Sequence, residues 1–96
     1  MAAYVIVDVE VHDPQGYQEY TRQVPQTLQP YGGKFIVRGG KVETLEGSWD
    51  PKRVVVLEFP SVDQAKAWHA CAAYQAIVPI RQRHAKTNFL TVVEGV

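Results

Sequence analysis

Asp8, Arg38 and Glu58 each lie within an apolar, alternating stretch of the chain. If these three charges converge, two chemistries are open to them. Two carboxylates beside one guanidinium can hold a polar substrate, with one carboxylate raised in pKa to accept a proton. The same set can instead pair internally and fix the register of an interface, which needs no substrate. Asp8 and Glu58 are therefore the candidate catalytic carboxylates and Arg38 the candidate substrate-binding residue. Histidine is the other group that titrates near neutrality. His69 adjoins Trp68 on a helical stripe and is either a packing residue or a catalytic or haem-binding one. His12 falls at a strand end, and His84, after Arg81 and Arg83, reads as solvated. Tyr17, Tyr20 and Tyr31 recur at helical intervals as core residues with hydroxyls at the rim, and Tyr20 could donate a hydrogen bond into a pocket between helix and sheet.

Other chemistries are missing from the pattern. Cys71 is the single cysteine, so neither an internal disulfide nor a cysteine-built zinc site can form. Set among alanines, it reads as a small buried residue and not as a nucleophile. No HxxxH pair or carboxylate cluster has metal-ligand spacing. Gly39-Gly40 lies in no GxxxxGK or GxGxxG pattern, so it is not a phosphate loop. The expectation is a protein with no metal and no bound cofactor.

Elements must place these residues. Residues 3–11 alternate with a period of two, Val5, Val7, Val9 and Val11 on one face and Tyr4, Ile6, Asp8 and Glu10 on the other, which makes a strand. Asp13 then caps a helix whose first position is Pro14, where a missing N–H costs nothing. Its apolar stripe runs through Tyr17, Tyr20, Val24, Leu28 and Tyr31; Pro25 predicts a kink or break, and Gly32-Gly33 a left-handed C-cap. Residues 34–38 read as a second strand, Phe35 and Val37 on one face, Ile36 and Arg38 on the other. The glycine pair suggests a bulge or bend before that strand resumes over 41–45. Residues 46–51 make a turn, and the apolar run 53–59 has the character of a central strand. Ser61 to Gln64 forms a capping box. The helix it opens carries Ala65, Trp68, His69, Ala72 and Ala76 on one stripe, and Pro79 divides it from a segment with Ile80, Arg81 and His84. Residues 88–94 are the last strand. The order β-α-β-β-α-β is the ferredoxin-like split unit, an α+β fold in which a four-stranded antiparallel sheet carries both helices on one face.

The other face of that sheet is not simply polar, as a solvated face should be. Tyr4, Ile6, Ile36, Val54 and Val56 are mixed with Asp8, Glu10, Arg38 and Glu58. Four strands ~4.8 Å apart and five residues long at ~3.3 Å per residue project roughly 320 Å², near the largest apolar patch a monomer usually exposes. A second copy laid sheet to sheet would cover it as a twofold homodimer, with Tyr4, Ile6, Ile36, Trp49 and Val56 at the interface. The alternative is a half-wet face on a monomer.

Ninety-six residues, 46% hydrophobic and 21% charged, suit one globular domain spanning 1–96. Ten basic residues balance ten acidic ones, which removes the electrostatic footprint of a nucleic-acid or anionic-membrane binder. The strand 53–59 also lacks the basic and aromatic platform of an RNA-recognition motif. No apolar run is long enough for a membrane span, and the first residues lack the basic region of a signal peptide, so a cytoplasmic location is expected.

The chain resembles the DUF1330 family along nearly its whole length. The resemblance rests on Tyr4-Val5-Ile6-Val7, Asp13-Pro14 with Tyr17 and Tyr20, Tyr31-Gly32-Gly33-Lys34-Phe35 and Val37-Arg38-Gly39-Gly40. It continues through Leu45-Glu46-Gly47-Ser48-Trp49, Glu58-Phe59-Pro60-Ser61, Ala67-Trp68 and Tyr74-Gln75. It implies the dimeric α+β barrel superfamily, whose ferredoxin-like subunits pair sheet to sheet, and it implies no substrate. Where the family usually carries small polar residues and an acid, this chain has His69-Ala70-Cys71-Ala72-Ala73, so any pocket wall there differs. Related barrels include cofactor-free oxygenases, haem-degrading enzymes, isomerases and decarboxylases. Two functions follow as expectations: a cofactor-free small-molecule enzyme with a polar pocket at the sheet face, taking a small polar or anionic ligand, or a non-catalytic dimeric ligand-binding or interaction module.

Overall fold

The computed structural model describes all residues from Met1 to Val96. Strand β1 (Ala3–Val11) leads to helices α1 (Pro14–Thr21) and α2 (Val24–Leu28), a single 3-10 turn (Gln29–Tyr31) and strand β2 (Lys34–Arg38). Strand β3 (Arg53–Phe59), helices α3 (Val62–Ala70) and α4 (Ala72–His84) and strand β4 (Ala85–Glu94) complete it. The strands form one antiparallel sheet in the order β2-β3-β1-β4, with β1 and β3 at the centre. The molecule is only 17 Å deep along its shortest axis, as one helical layer on one sheet requires.

Local chemistry accounts for most element boundaries. The Asp13 carboxylate accepts the Gly16 N–H at 3.2 Å, and Pro14 opens α1. Two residues before Pro25 the helix breaks and restarts as α2. Gly32 takes φ +71° after the 3-10 turn, a left-handed cap that needs no Cβ. The Ser61 hydroxyl accepts the Gln64 N–H at 3.1 Å to start α3.

Pro79 does not divide the second helix. The break falls at Cys71, whose backbone is extended and whose Sγ accepts the Tyr74 N–H at 3.4 Å, making it the N-cap of α4. Pro79 sits inside α4 on its exposed side, where water can reach the carbonyl that a proline leaves unbonded. Cys71 is accordingly half-buried at a helix start, not a buried filler residue. Residues 41–45 do not resume a strand. At Gly39, φ +76°, the chain leaves the edge of the sheet, and 40–50 runs as an exposed loop with no strand beside it to pair with.

The hydrophobic core lies between the sheet and the helices. Val5, Val7, Val9, Val55, Leu57 and Phe59 meet Tyr17, Tyr20, Val24, Leu28, Trp68, Tyr74, Ile77 and Val78. A bulge in β2 changes which side chains join them. Phe35 stands opposite Leu57, but Val37 stands opposite Val56 and Arg38 opposite Val55, so Ile36 is the extra residue. Beyond that point the faces exchange: Val37 points away from the helices and Arg38 toward them. A second bulge between Asp8 and Val9 absorbs an extra residue in β4.

The outward face carries Tyr4, Ile6, Val56, Val37, Phe89 and Val93, of which the last three are 38 to 47% exposed. Ile36 at the bulge is 48% exposed.

Candidate functional site

Asp8, Arg38 and Glu58 do not converge. Asp8 and Glu58 share the outward face but stand opposite Val54 and Tyr4, four residues apart along the sheet, or about 13 Å at ~3.3 Å per residue. The buried Asp8 carboxylate accepts from Trp49 Nε1 at 3.2 Å and from Asn88 Nδ2 at 3.4 Å; the same amide donates to Glu10 at 3.1 Å. Trp49 is thus seated on its own sheet, though still 44% exposed. Glu58 pairs with Lys34 at 3.2 Å. The bulge carries Arg38 to the opposite face, with its guanidinium 4.3 Å above the Phe35 ring. Neither a carboxylate–arginine substrate clamp nor a three-residue ion-pair network exists, and the outward face has no polar pocket at these residues.

His69 is exposed on α3 and borders a shallow groove with Val5, Lys66, Leu90 and Val92. His84 is packed, not solvated. Its Nδ1 lies 3.3 Å from Asp13 Oδ2, and its carbonyl accepts the backbone N–H groups of His12 and Asp13 at 2.8 and 3.1 Å.

A pocket does form, on the helix side of the sheet. Tyr17, Tyr20 and Thr21 of α1, Val24 of α2, Trp68 of α3, and Tyr74 and Arg81 of α4 face Phe35, Arg38, Arg53, Val55 and Leu57 of the sheet. It therefore contains both residues chosen from the sequence as ligand-binding, Arg38 and Tyr20. The cleft spans about 460 Å³ including its open mouth, and its interior is narrow. Tyr17, Thr21 and Arg53 also border a wider outer groove with Gln18, Gly39 and Lys52.

The polar groups of the pocket have a consistent character. Tyr20 and Tyr74 hydroxyls are 2.7 Å apart. Whichever donates, the other keeps its own proton for a third group. Burial, and then the neighbouring Tyr74 hydroxyl, push the Tyr20 phenol far above its ordinary range. Tyr17 and Tyr74 are raised by burial too, with Arg81 pulling both back and Arg53 pulling on Tyr17. Three of the chain's five arginines line the pocket, and no carboxylate does. Arg38 is exposed and Arg53 half-buried, whereas Arg81 is 7% exposed. Arg53 Nε, Arg81 Nε and Arg81 Nη1 are buried with no hydrogen-bond partner. The Arg81 guanidinium lies 6.0 Å from the centre of the Tyr20 ring.

Arg81 was not singled out from the sequence, although its spacing carries the information. Tyr74, Ile77, Val78 and Arg81 fall at i, i+3, i+4 and i+7, so an arginine stands on the buried stripe of α4. Reading Pro79 as a helix break conceals that stripe. Trp68 lines the same pocket, but its indole N–H is committed to Thr27 Oγ1 at 3.0 Å.

A four-stranded antiparallel sheet in the order β2-β3-β1-β4 with helices on one face defines a ferredoxin-like α+β fold. The DUF1330 family model, described as a domain of unknown function, matches residues 2–96, and the chain belongs to that family. No curated protein matches the sequence. Among solved structures, the RPA0582 protein of unknown function from Rhodopseudomonas palustris is 19% identical with a TM-score of 0.70, covering 99% of this chain and 82% of its own. SnoaB, a cofactor-independent oxygenase from Streptomyces nogalater, is 11% identical with a TM-score of 0.66 over 99% of this chain and 93% of its own. HapK from Hahella chejuensis is 13% identical, with a TM-score of 0.65 over 98% and 92%. At such identities the likeness is one of fold.

Proposed function

We propose that the protein is a homodimeric, cytoplasmic small-molecule enzyme working without a bound cofactor, with its substrate site in the pocket between α1, α4 and the sheet. The observation that carries this is the meeting of a phenol pair and three guanidiniums in one aromatic cleft that no carboxylate neutralises. Guanidinium and phenol donors fixed in a water-poor site stabilise negative charge that develops on a substrate oxygen. No carboxylate and no histidine lines the pocket, so the lining supplies no general base. A suitable substrate therefore enters as an anion or ionises readily. The fold shared with a cofactor-independent oxygenase supports a cofactor-free chemistry by analogy. The apolar outward face supports a sheet-to-sheet homodimer.

The missing base favours one second reading, a dimeric module that binds the same ligand without transforming it. Turnover of a bound compound separates the two. The pocket itself is tested at its mouth, where Thr21→Trp would fill the entrance. A panel of small metabolites is screened by thermal shift against wild type and this variant. Compounds that raise the wild-type melting temperature are expected to leave Thr21→Trp unmoved. If no compound shifts the wild type, or every hit shifts both proteins equally, the pocket is not the site.

A further inference from the structure

We propose that Arg81 is an anion receptor and that the pocket's ligand is a small monoanion, a carboxylate or similar oxyanion borne on a flat apolar body. This rests on the pocket being a ligand site, and it names the ligand's class. A buried guanidinium is normally paired, because removing its charge from water is costly unless hydrogen bonds replace the lost hydration. Arg81 is only 7% exposed, yet two of its nitrogens have no partner and no carboxylate lines the pocket. The fold thus leaves buried guanidinium donors unsatisfied, at Nε and Nη1 on separate edges of the planar group. Nη1 together with the adjacent Nη2 makes the end-on fork that matches the two oxygens of a carboxylate.

The remaining features select the rest of the ligand. The interior is narrow, which suits a small head group and not a bulky body beside it. Tyr17, Trp68, Phe35, Val55 and Leu57 offer flat apolar walls. Thr21 and Arg53 also border the neighbouring outer groove, so a longer body would lie toward them. The spare proton of the Tyr20–Tyr74 pair supplies one further donor. Arg38, exposed at the edge of the pocket, adds a second positive charge that no lining carboxylate offsets, which favours the approach of anions.

Benzoate and trans-cinnamate are titrated against benzamide and cinnamamide, which keep the shape and lose the charge. Calorimetry gives affinities, and NMR of the 15N-labelled protein follows the Arg81 Nε–H. The carboxylates are expected to bind at least tenfold more tightly than the amides and to move the Arg81 resonance downfield. Arg81→Met should abolish that preference while raising the melting temperature of the ligand-free protein by about 4 °C or more, since it removes an unpaired buried charge. Arg81→Lys, which keeps charge but loses the fork, should bind carboxylates at intermediate strength. Amides that bind as well as carboxylates overturn the anion assignment and leave the pocket reading standing. Carboxylate affinity unchanged in Arg81→Met, or a lower melting temperature, marks Arg81 as structural and overturns the receptor. If none of the four compounds binds, this inference fails, while the Thr21→Trp screen decides the pocket reading separately.

Discussion

Trp68 shows how a single residue is held in place by partners distant in sequence. Its indole N–H donates to Thr27 Oγ1, which in turn donates to the Val24 carbonyl at 2.7 Å, and Trp68 and Thr27 are both buried. The relay ties α3 to α2 and positions one wall of the pocket. Thr27→Val keeps the shape but strands a buried indole N–H, a loss of about 1–3 kcal/mol. Urea unfolding should show that loss as a lower midpoint at unchanged slope, and Thr27→Ser should recover most of it. Equal midpoints for Thr27→Val and wild type would mean the relay contributes nothing. Thr27 is a polar residue on an apolar stripe, and only its partner 41 residues away explains it.

Between elements, the contact of α1 with the end of α4 decides the shape of the cleft. His84 joins them through its carbonyl and its approach to Asp13, and Gly16 lies directly against the imidazole. A Cβ added at Gly16 would fall on that ring. Alanine normally gains about 1 kcal/mol over glycine inside a helix. Here the overlap should cost about 1–3 kcal/mol and separate His84 from Asp13. Gly16→Ala is therefore expected to melt below wild type, and adding His84→Ala should relieve part of the loss, a coupling that a double-mutant cycle measures. A Gly16→Ala protein that melts higher would show that the helices have room to part.

For the whole molecule, the outward face is the surface available for assembly. The helices cover one side of the sheet, and Tyr4, Ile6, Val37, Val56, Phe89 and Val93 lie on the other. Sedimentation velocity at micromolar concentration should find two subunits for wild type. Ile6→Lys, a charge at the centre of that face, should give one. A wild-type protein that sediments as a single subunit would end the homodimer proposal and leave the helix-side pocket untouched, since the two lie on opposite faces.

The order of elements, the antiparallel sheet with β1 and β3 central, and the starts of α1 and α3 were legible in the sequence. Each follows from neighbours a few residues apart: the two-residue period of 3–11, Asp13 before Pro14, Ser61 three residues before Gln64. The candidate site was only half legible. Arg38 and Tyr20 do line the pocket, but Arg38 reaches it because a one-residue bulge at Ile36 exchanges the faces of β2. That bulge belongs to the pairing with β3, not to β2 alone. Asp8 and Glu58 share a face, as their alternation requires, but the register sets them far apart and gives them other partners. Arg81 becomes a pocket residue only because α4 runs unbroken through Pro79 and turns it inward. Periodicity and capping are local properties, whereas facing and convergence are properties of strand pairing and helix packing, which only the folded chain decides.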